Sequence, residues 1–312
     1  MKARATKLAA YTTIYPAVLK YLPEWYESVQ AQTDRDFELW IGLDELKQTD
    51  IEDTLGGHVK ARWVQAPASS TPAQVRDIAL SQLIGAGRDV VLVDSDDILH
   101  PSRVTAARRE LRMSDLAACA LNIVDESGQS LGLEFNFDPA VRLSHILPGN
   151  NVFGFSNSAY RCELLGRCLP IPKDAILVDW YLATRAWLFG AKLSFDHDAR
   201  MKYRQYDANT ARVRLPFRPD QILSDSVLVS RHFQLVLASS GQENFLPARW
   251  DQFLRVARDF EQFEGYINRS PANLNAYLES LNVAVKQPIW WTSVAYSPLA
   301  HMWKQEETLC KQ

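Results

Sequence analysis

Apolar and polar positions alternate in blocks along the first part of the chain, and the blocks predict strands and helices in turn. Leu8 to Ile14 is a short β-prone run closed by Pro16, and Val18 to Gln30 follows with Leu22, Trp25 and Val29 on one helical face. Further strands are predicted at Phe37 to Leu43, His58 to Val64, Val90 to Val93 and Leu116 to Val124. Helices from Pro72 to about Ile84 and from Pro101 to Met113 lie among them. Strand and helix in regular turn imply an α/β fold, a mostly parallel sheet flanked by helices. Such sheets bind ligands outside the carboxyl ends of their strands.

After Val124 the pattern loosens. Residues 125–130 (DESGQS) signal a turn, read as a hairpin, and Trp180 to Phe189 reads as a helix. From about Pro219 the chain looks helical: Ile222, Val229, Phe233 and Val236 share a face, and Trp250 to Phe263 is amphipathic. The expected plan is a catalytic α/β domain over residues 1–215 and a helical C-terminal extension over 216–312.

Composition narrows the function classes. With 312 residues, 47% of them hydrophobic, a large core is within reach, and a net charge of −3 gives no general drive towards nucleic acid. Cys119, Cys162, Cys168 and Cys310 form no CxxC pair and read as idle thiols in a reducing compartment. Lys2, Arg4 and Lys7 precede no apolar targeting segment, and no stretch approaches the roughly 20 apolar residues that span a bilayer. The expectation is a cytoplasmic chain, with membrane contact peripheral at most.

The chemistry concentrates at Asp89 to Pro101, DVVLVDSDDILHP, where an apolar strand ends in Asp94, Asp96 and Asp97. A solvated helix cap is one reading, since acids favour the positive end of a helix dipole. A divalent cation relieving the mutual repulsion of Asp94 and Asp96 is the other, and hard oxygen ligands suit Mg²⁺ or Mn²⁺. A calcium EF-hand loop is excluded, because its sixth and twelfth positions would be Leu99 and Thr105. Two enzyme classes use a strand followed by D-x-D: aspartyl phosphohydrolases and nucleotide-sugar glycosyltransferases.

Four stretches in order resemble family 2 glycosyltransferases, which have the GT-A fold and invert the anomeric centre. They are Tyr21 to Glu45 with its Ser28, Gln32 and Thr33 turn, Pro72 to Val104, Asn150 to Arg161, and Val178 to Arg212. The resemblance spans roughly residues 8 to 212 and implies a hexosyltransferase that uses Mn²⁺ or Mg²⁺. It implies a nucleotide-sugar donor, with UDP as its nucleoside diphosphate, and a glycan or lipid-linked acceptor in surface polysaccharide synthesis. By that resemblance Asp96 is the metal ligand, and Asp94 and Ser95 lie near the ribose and diphosphate. Asp44, Thr13, Arg76 and Arg204 join them in holding the nucleotide sugar. Asp179 matches the catalytic base, and Phe153, Gly154, Phe155 and Trp180 the acceptor pocket.

The sequence also departs from that pattern. The segment after the second strand, GLDELKQTD, matches at Asp44 alone. Tyr206 stands where many members carry a histidine that touches the metal or diphosphate, and His197 is the candidate substitute. The basic run Arg200, Lys202, Arg204, Arg212, Arg214 and Arg218 reads as a solvated face or a phosphate-closing loop. Arg103, Arg108, Arg109 and Arg112 read as a solvated helix face. Pro288 to Trp303, with three tryptophans, reads as core packing or a homo-oligomer contact, with peripheral membrane contact as the sharper alternative. A catalytically silent carbohydrate-binding protein on the same fold, or a phosphohydrolase, is the rival reading of the whole.

Overall fold

A computed structural model describes residues 7–206, 209–213, 215–239 and 244–304. Its strands are β1 (Leu8–Ile14), β2 (Phe37–Leu43), β3 (Arg62–Gln65), β4 (Asp89–Leu92), β5 (Ile98–Leu99), β6 (Leu116–Val124), β7 (Ser130–Phe135), β8 (Ser158–Tyr160) and β9 (Leu193–Arg204). The helices are α1 (Leu22–Gln30), α2 (Gln48–Leu55), α3 (Pro72–Gly85), α4 (Arg103–Leu111), α5 (Leu143–Ile146), α6 (Cys162–Cys168), α7 (Val178–Leu188), α8 (Pro219–Ala238), α9 (Pro247–Arg269) and α10 (Pro271–Ala284). One sheet runs in the order β3-β2-β1-β4-β8-β6-β9-β5, with β7 hairpinned onto β6.

The first four strands of that order are parallel, as the strand–helix alternation requires. Direction then reverses at β8, which is antiparallel to both β4 and β6, while β6 and β9 are parallel again. The reversal brings the loop before β8 against the carboxyl ends of β1 and β4. This is where Asp94 and its neighbours emerge.

Local chemistry fixes the elements around that point. Thr71 Oγ1 accepts a hydrogen bond from the Gln74 N–H, and Gln74 Oε1 accepts one from the Thr71 N–H. With Pro72 in the first turn this capping box sets where α3 starts, and so where Arg76 projects. Gly42 on β2 leaves room for Tyr11, since a Cβ there would lie 2.8 Å from the Tyr11 hydroxyl. That hydroxyl meets Thr13 Oγ1 at 2.9 Å.

The C-terminal region is helical as expected, and Ile222, Val229, Phe233 and Val236 are all buried on α8. After α10 the chain returns over the sheet. Trp290, Trp291 and Trp303 are buried, at 3%, 5% and 6% exposed. Among the described residues no helix is long and apolar enough to cross a membrane. Arg103 corrects the expected solvated face: it is buried, with a guanidinium N–H donating to the Ser158 carbonyl at 2.9 Å.

Candidate active site

The Ser28, Gln32 and Thr33 turn proves to be a staple. Ser28 Oγ accepts the Leu99 N–H, and the Gln32 amide donates to the Ser28 and His100 carbonyls while accepting the Val104 N–H. Thr33 takes the Pro101 carbonyl. The end of α1 is thereby pinned to residues 98–104, directly behind the acidic cluster.

In front of the cluster lies a cavity of about 170 Å³. Of the residues expected to act on the nucleotide sugar, metal or acceptor, it brings together Thr13, Arg76, Asp94, Ser95, Asp96, Gly154, Phe155 and Asp179. Asp94 and Asp96 come from the end of β4, and Ser95 is anchored between them by its hydroxyl on the Thr13 carbonyl at 2.9 Å. Arg76 approaches Asp94 Oδ1 at 3.9 Å and lies over the Phe155 ring at 4.7 Å. Its Nε is buried without a hydrogen-bond partner among the described residues. Asp179 sits in the first turn of α7, its Oδ2 accepting from Asn151 Nδ2 at 3.1 Å. Asn151 is itself locked by the Phe153 N–H at 2.9 Å.

Charge at the site is poorly compensated. Burial, with the Asp96 charge next, pushes the Asp94 carboxyl up to about 7. Burial likewise raises Asp96, opposed by the Tyr206 hydroxyl, which donates to Asp96 Oδ2 at 2.6 Å. Asp179 is lifted to about 6, again by burial. Tyr206 is raised in turn by burial and by Asp96, and Tyr15 beside it is pushed up to about 12 by its own burial. Both phenols therefore stay protonated at neutral pH.

Four expected site residues are placed elsewhere. Arg204 is 2% exposed and stands behind the cluster. Its Nε donates to the Asp96 carbonyl at 2.8 Å, and its terminal nitrogens donate to the Glu126 carbonyl and to Glu24 at 2.7 and 2.6 Å. Every arm is thus used by the fold. Trp180 is fully buried, stacked on His232 at 4.6 Å and Trp291 at 5.9 Å, and lines no part of the cavity. The reason is helical geometry: neighbours on a helix point about 100° apart, so Asp179 facing the cavity turns Trp180 away. Phe153 is fully buried beneath the loop. Asp44, at the end of β2, is half-buried near Arg76 and outside the cavity lining. His197 likewise lines no part of the cavity, and Arg214 lies outside the described residues.

Sequence reasoning missed the opposite wall. Trp290 and Trp291 line the cavity, together with Tyr15, Ser156 and residues 209–211. Trp290 packs on Phe135 at 4.1 Å and so close to Gly154 that a Cβ there would lie 2.2 Å from the indole ring. Trp291 holds a left-handed backbone, φ 61°, which an L residue rarely adopts. The glycine at 154 was the one available signal for such close packing.

Among the described residues no three His, Cys, Asp or Glu side chains converge into a self-sufficient metal site. The donor set nevertheless fits a hard divalent cation. Two carboxylates face one cavity with raised proton affinity, a sign of negative charge that the protein leaves unbalanced. A cation here would draw its remaining ligands from a bound phosphate.

No family model and no curated protein sequence matches the chain. Solved structures do. Residues 1–349 of S. aureus TarS, in complex with UDP-GlcNAc, align with a TM-score of 0.55 at 18% identity, over 90% of this chain and 76% of that one. A second S. aureus TarS structure aligns with a TM-score of 0.56 at 19% identity, over 82% of this chain and 43% of that one. The mannosyltransferase PcManGT from Pyrobaculum calidifontis, in complex with GDP-Man and Mn²⁺, gives 0.54 at 14% identity, over 95% and 79%. The architecture shared is the GT-A fold expected from the acidic-strand resemblance.

Proposed function

We propose that this chain is a metal-dependent, inverting glycosyltransferase, moving a sugar from a nucleoside diphosphate sugar to a hydroxyl of a glycan or lipid-linked acceptor. The observation that carries the reading is the shared cavity. Two under-compensated carboxylates, Asp94 and Asp96, and a third, Asp179, face one space of about 170 Å³ from different elements. Solved neighbours of the same fold hold UDP-GlcNAc, and GDP-Man with Mn²⁺, which supports a sugar nucleotide as donor.

The roles follow from the chemistry. Asp96 and Asp94 would hold Mn²⁺ or Mg²⁺, which when bound supplies positive charge against the leaving diphosphate. Arg76, with its orphan Nε, would meet a donor oxygen, and Thr13 with Asp44 would border the nucleoside. The acceptor hydroxyl forms the new bond to the anomeric carbon as the glycosyl–phosphate bond breaks, and its proton passes to Asp179. A carboxyl near 6 is ionised at neutral pH yet close enough to it to accept that proton well. Asn151 aims the carboxylate, and the two tryptophans keep water from the reacting centre.

The test is a panel of UDP- and GDP-sugars with Mn²⁺, Mg²⁺ or EDTA, read as nucleoside diphosphate release and thermal stabilisation. Metal-dependent binding of at least one donor is expected. Asp179→Asn should then lower transfer by about 10²–10⁴-fold and leave donor binding intact. No donor bound under any metal, or normal transfer by the variant, overturns the reading.

A further inference from the structure

The far end of α7 borders a second concavity, an open groove of about 530 Å³. Its walls are the segment after β7, the last turn of α7, the start of β9 and the first turn of α9. Trp187 in this groove follows Asp179 by eight residues of one helix, about 12 Å along its axis. The transfer chemistry uses none of it.

Three features mark the groove as built. The first is a bulge. The β6–β9 ladder pairs Cys119 with Asp196 and then Ala120 with Ala199, so His197 and Asp198 are looped out. Bulges of this kind re-aim side chains. His197 is then fixed from both sides by Asn136, Nδ1 to Oδ1 at 2.8 Å and Nδ2 to the His197 carbonyl at 3.0 Å.

The second is an aromatic surface. Phe137, Phe195 and His197 pack with centroids 4.6, 5.0 and 5.1 Å apart and remain half-buried at the groove. The third is charge. The lining carries Arg142, Lys192 and Arg249 and no carboxylate, in a chain of net charge −3. The acids of the bulge are taken: Asp196 by Arg109 and Arg200, Asp198 by Arg200. Asp138 at the rim caps its own turn through the Ala140 N–H.

Aromatic faces accept the C–H faces of sugar rings, and uncompensated cations accept carboxylate or phosphate. A small anion would leave the rings unused, and a neutral glycan would leave the cations unused. We propose that this groove is a second binding site, for a chain of anionic sugars, separate from the cavity at Asp179. The proposal does not depend on glycosyl transfer, and it gives His197 a place that the metal chemistry did not.

The test is isothermal titration of the full chain, without nucleotide, against three probes: sodium polygalacturonate, neutral dextran and polyglutamate. Polygalacturonate should bind, more weakly as NaCl is raised. Arg142→Glu with Lys192→Glu should cut its affinity by about tenfold or more, since both cations would then repel the chain. Arg142→Lys with Lys192→Arg should restore it. Phe137→Ala should weaken the glycan by severalfold, with melting temperature as the check on folding. Donor-sugar turnover should be unchanged by the Arg142 and Lys192 substitutions. Undiminished binding by the charge-reversed variant overturns the proposal. Equal affinity for dextran removes its anionic half, and equal affinity for polyglutamate removes its sugar half.

Discussion

Asp96 and Asp97 are adjacent, yet the fold uses them in opposite ways. Asp97 is 1% exposed and faces inward, its Oδ1 accepting the Arg204 N–H at 2.7 Å and its Oδ2 meeting the Ser156 hydroxyl. Burial, with the Asp96 and Asp94 charges next, raises it well above the usual carboxylate range. It is a neutral-leaning hydrogen-bonding group that ties β9 to the end of β4. Asp96 faces the cavity, where the Tyr206 hydroxyl donates to its carboxylate. The difference separates charge kept for a ligand from polarity consumed by the fold, within a motif that looks uniform in one dimension.

Substitution by asparagine keeps shape and removes charge, so it divides the two sharply. Asp96→Asn should lower metal-dependent transfer by at least about 10²–10³-fold, because the charge set against the diphosphate is what is lost. Its melting temperature should hold or rise. A variant that turns over normally but melts early would assign Asp96 to the fold and erase the contrast.

The complementary experiment is on Asp97, where the expected effect is on stability. Asp97→Asn can still accept the Arg204 N–H and meet Ser156, and should unfold in urea close to the parent protein. Asp97→Ala leaves the buried Arg204 N–H unsatisfied and the Ser156 hydroxyl with Asp94 as its remaining carboxylate partner, and should cost about 1–3 kcal/mol. Equal behaviour of the two would mean that the hydrogen bonds drawn here do not hold β9 in place.

The same distinction sets what the sequence could disclose. The strand that ends in DSDD, the helix that starts at Pro72 and the helix bearing Asp179 were legible, because each is a local run of strand- or helix-forming residues. Which side of the chain faces the cavity was not. On α7 every residue from Trp180 to Leu188 is buried, so no amphipathic stripe marks a face, and Trp180 was placed in the site when its neighbour Asp179 excludes it. Arg204 was read by its charge, whereas its contacts to Glu24, Glu126 and Asp96 come from three distant parts of the chain. Trp290 and Trp291 reach the cavity only through long-range packing, and Gly154 hints at them only in retrospect. The bulge at His197 shifts a strand register, which periodicity cannot foresee.

Asp94 stands between the two extremes and gives the smallest and most diagnostic effect. It shares the Ser156 hydroxyl with Asp97 but opens to the cavity with Asp96, and its side chain is 31% exposed. Its folded-state value of about 7 lies above the ordinary 3.8. A raised carboxyl favours the protonated folded state, so its cost is absent below about pH 4, grows as pH rises towards 7 and is constant above. Asp94→Asn removes that cost. The variant should match the parent protein in acid and exceed it at pH 8 by about 1–2 kcal/mol, less than full burial would give because solvent reaches the group. Adding Mn²⁺ with a bound donor should narrow the gap by stabilising the parent alone, since the charge then has its counterpart. Urea unfolding at pH 4, 6 and 8, with and without Mn²⁺ and UDP, measures both. A gap that is flat with pH would put Asp94 with Asp97, as a group already satisfied by the protein, and leave Asp96 as the single carboxylate of the three in DSDD reserved for the ligand.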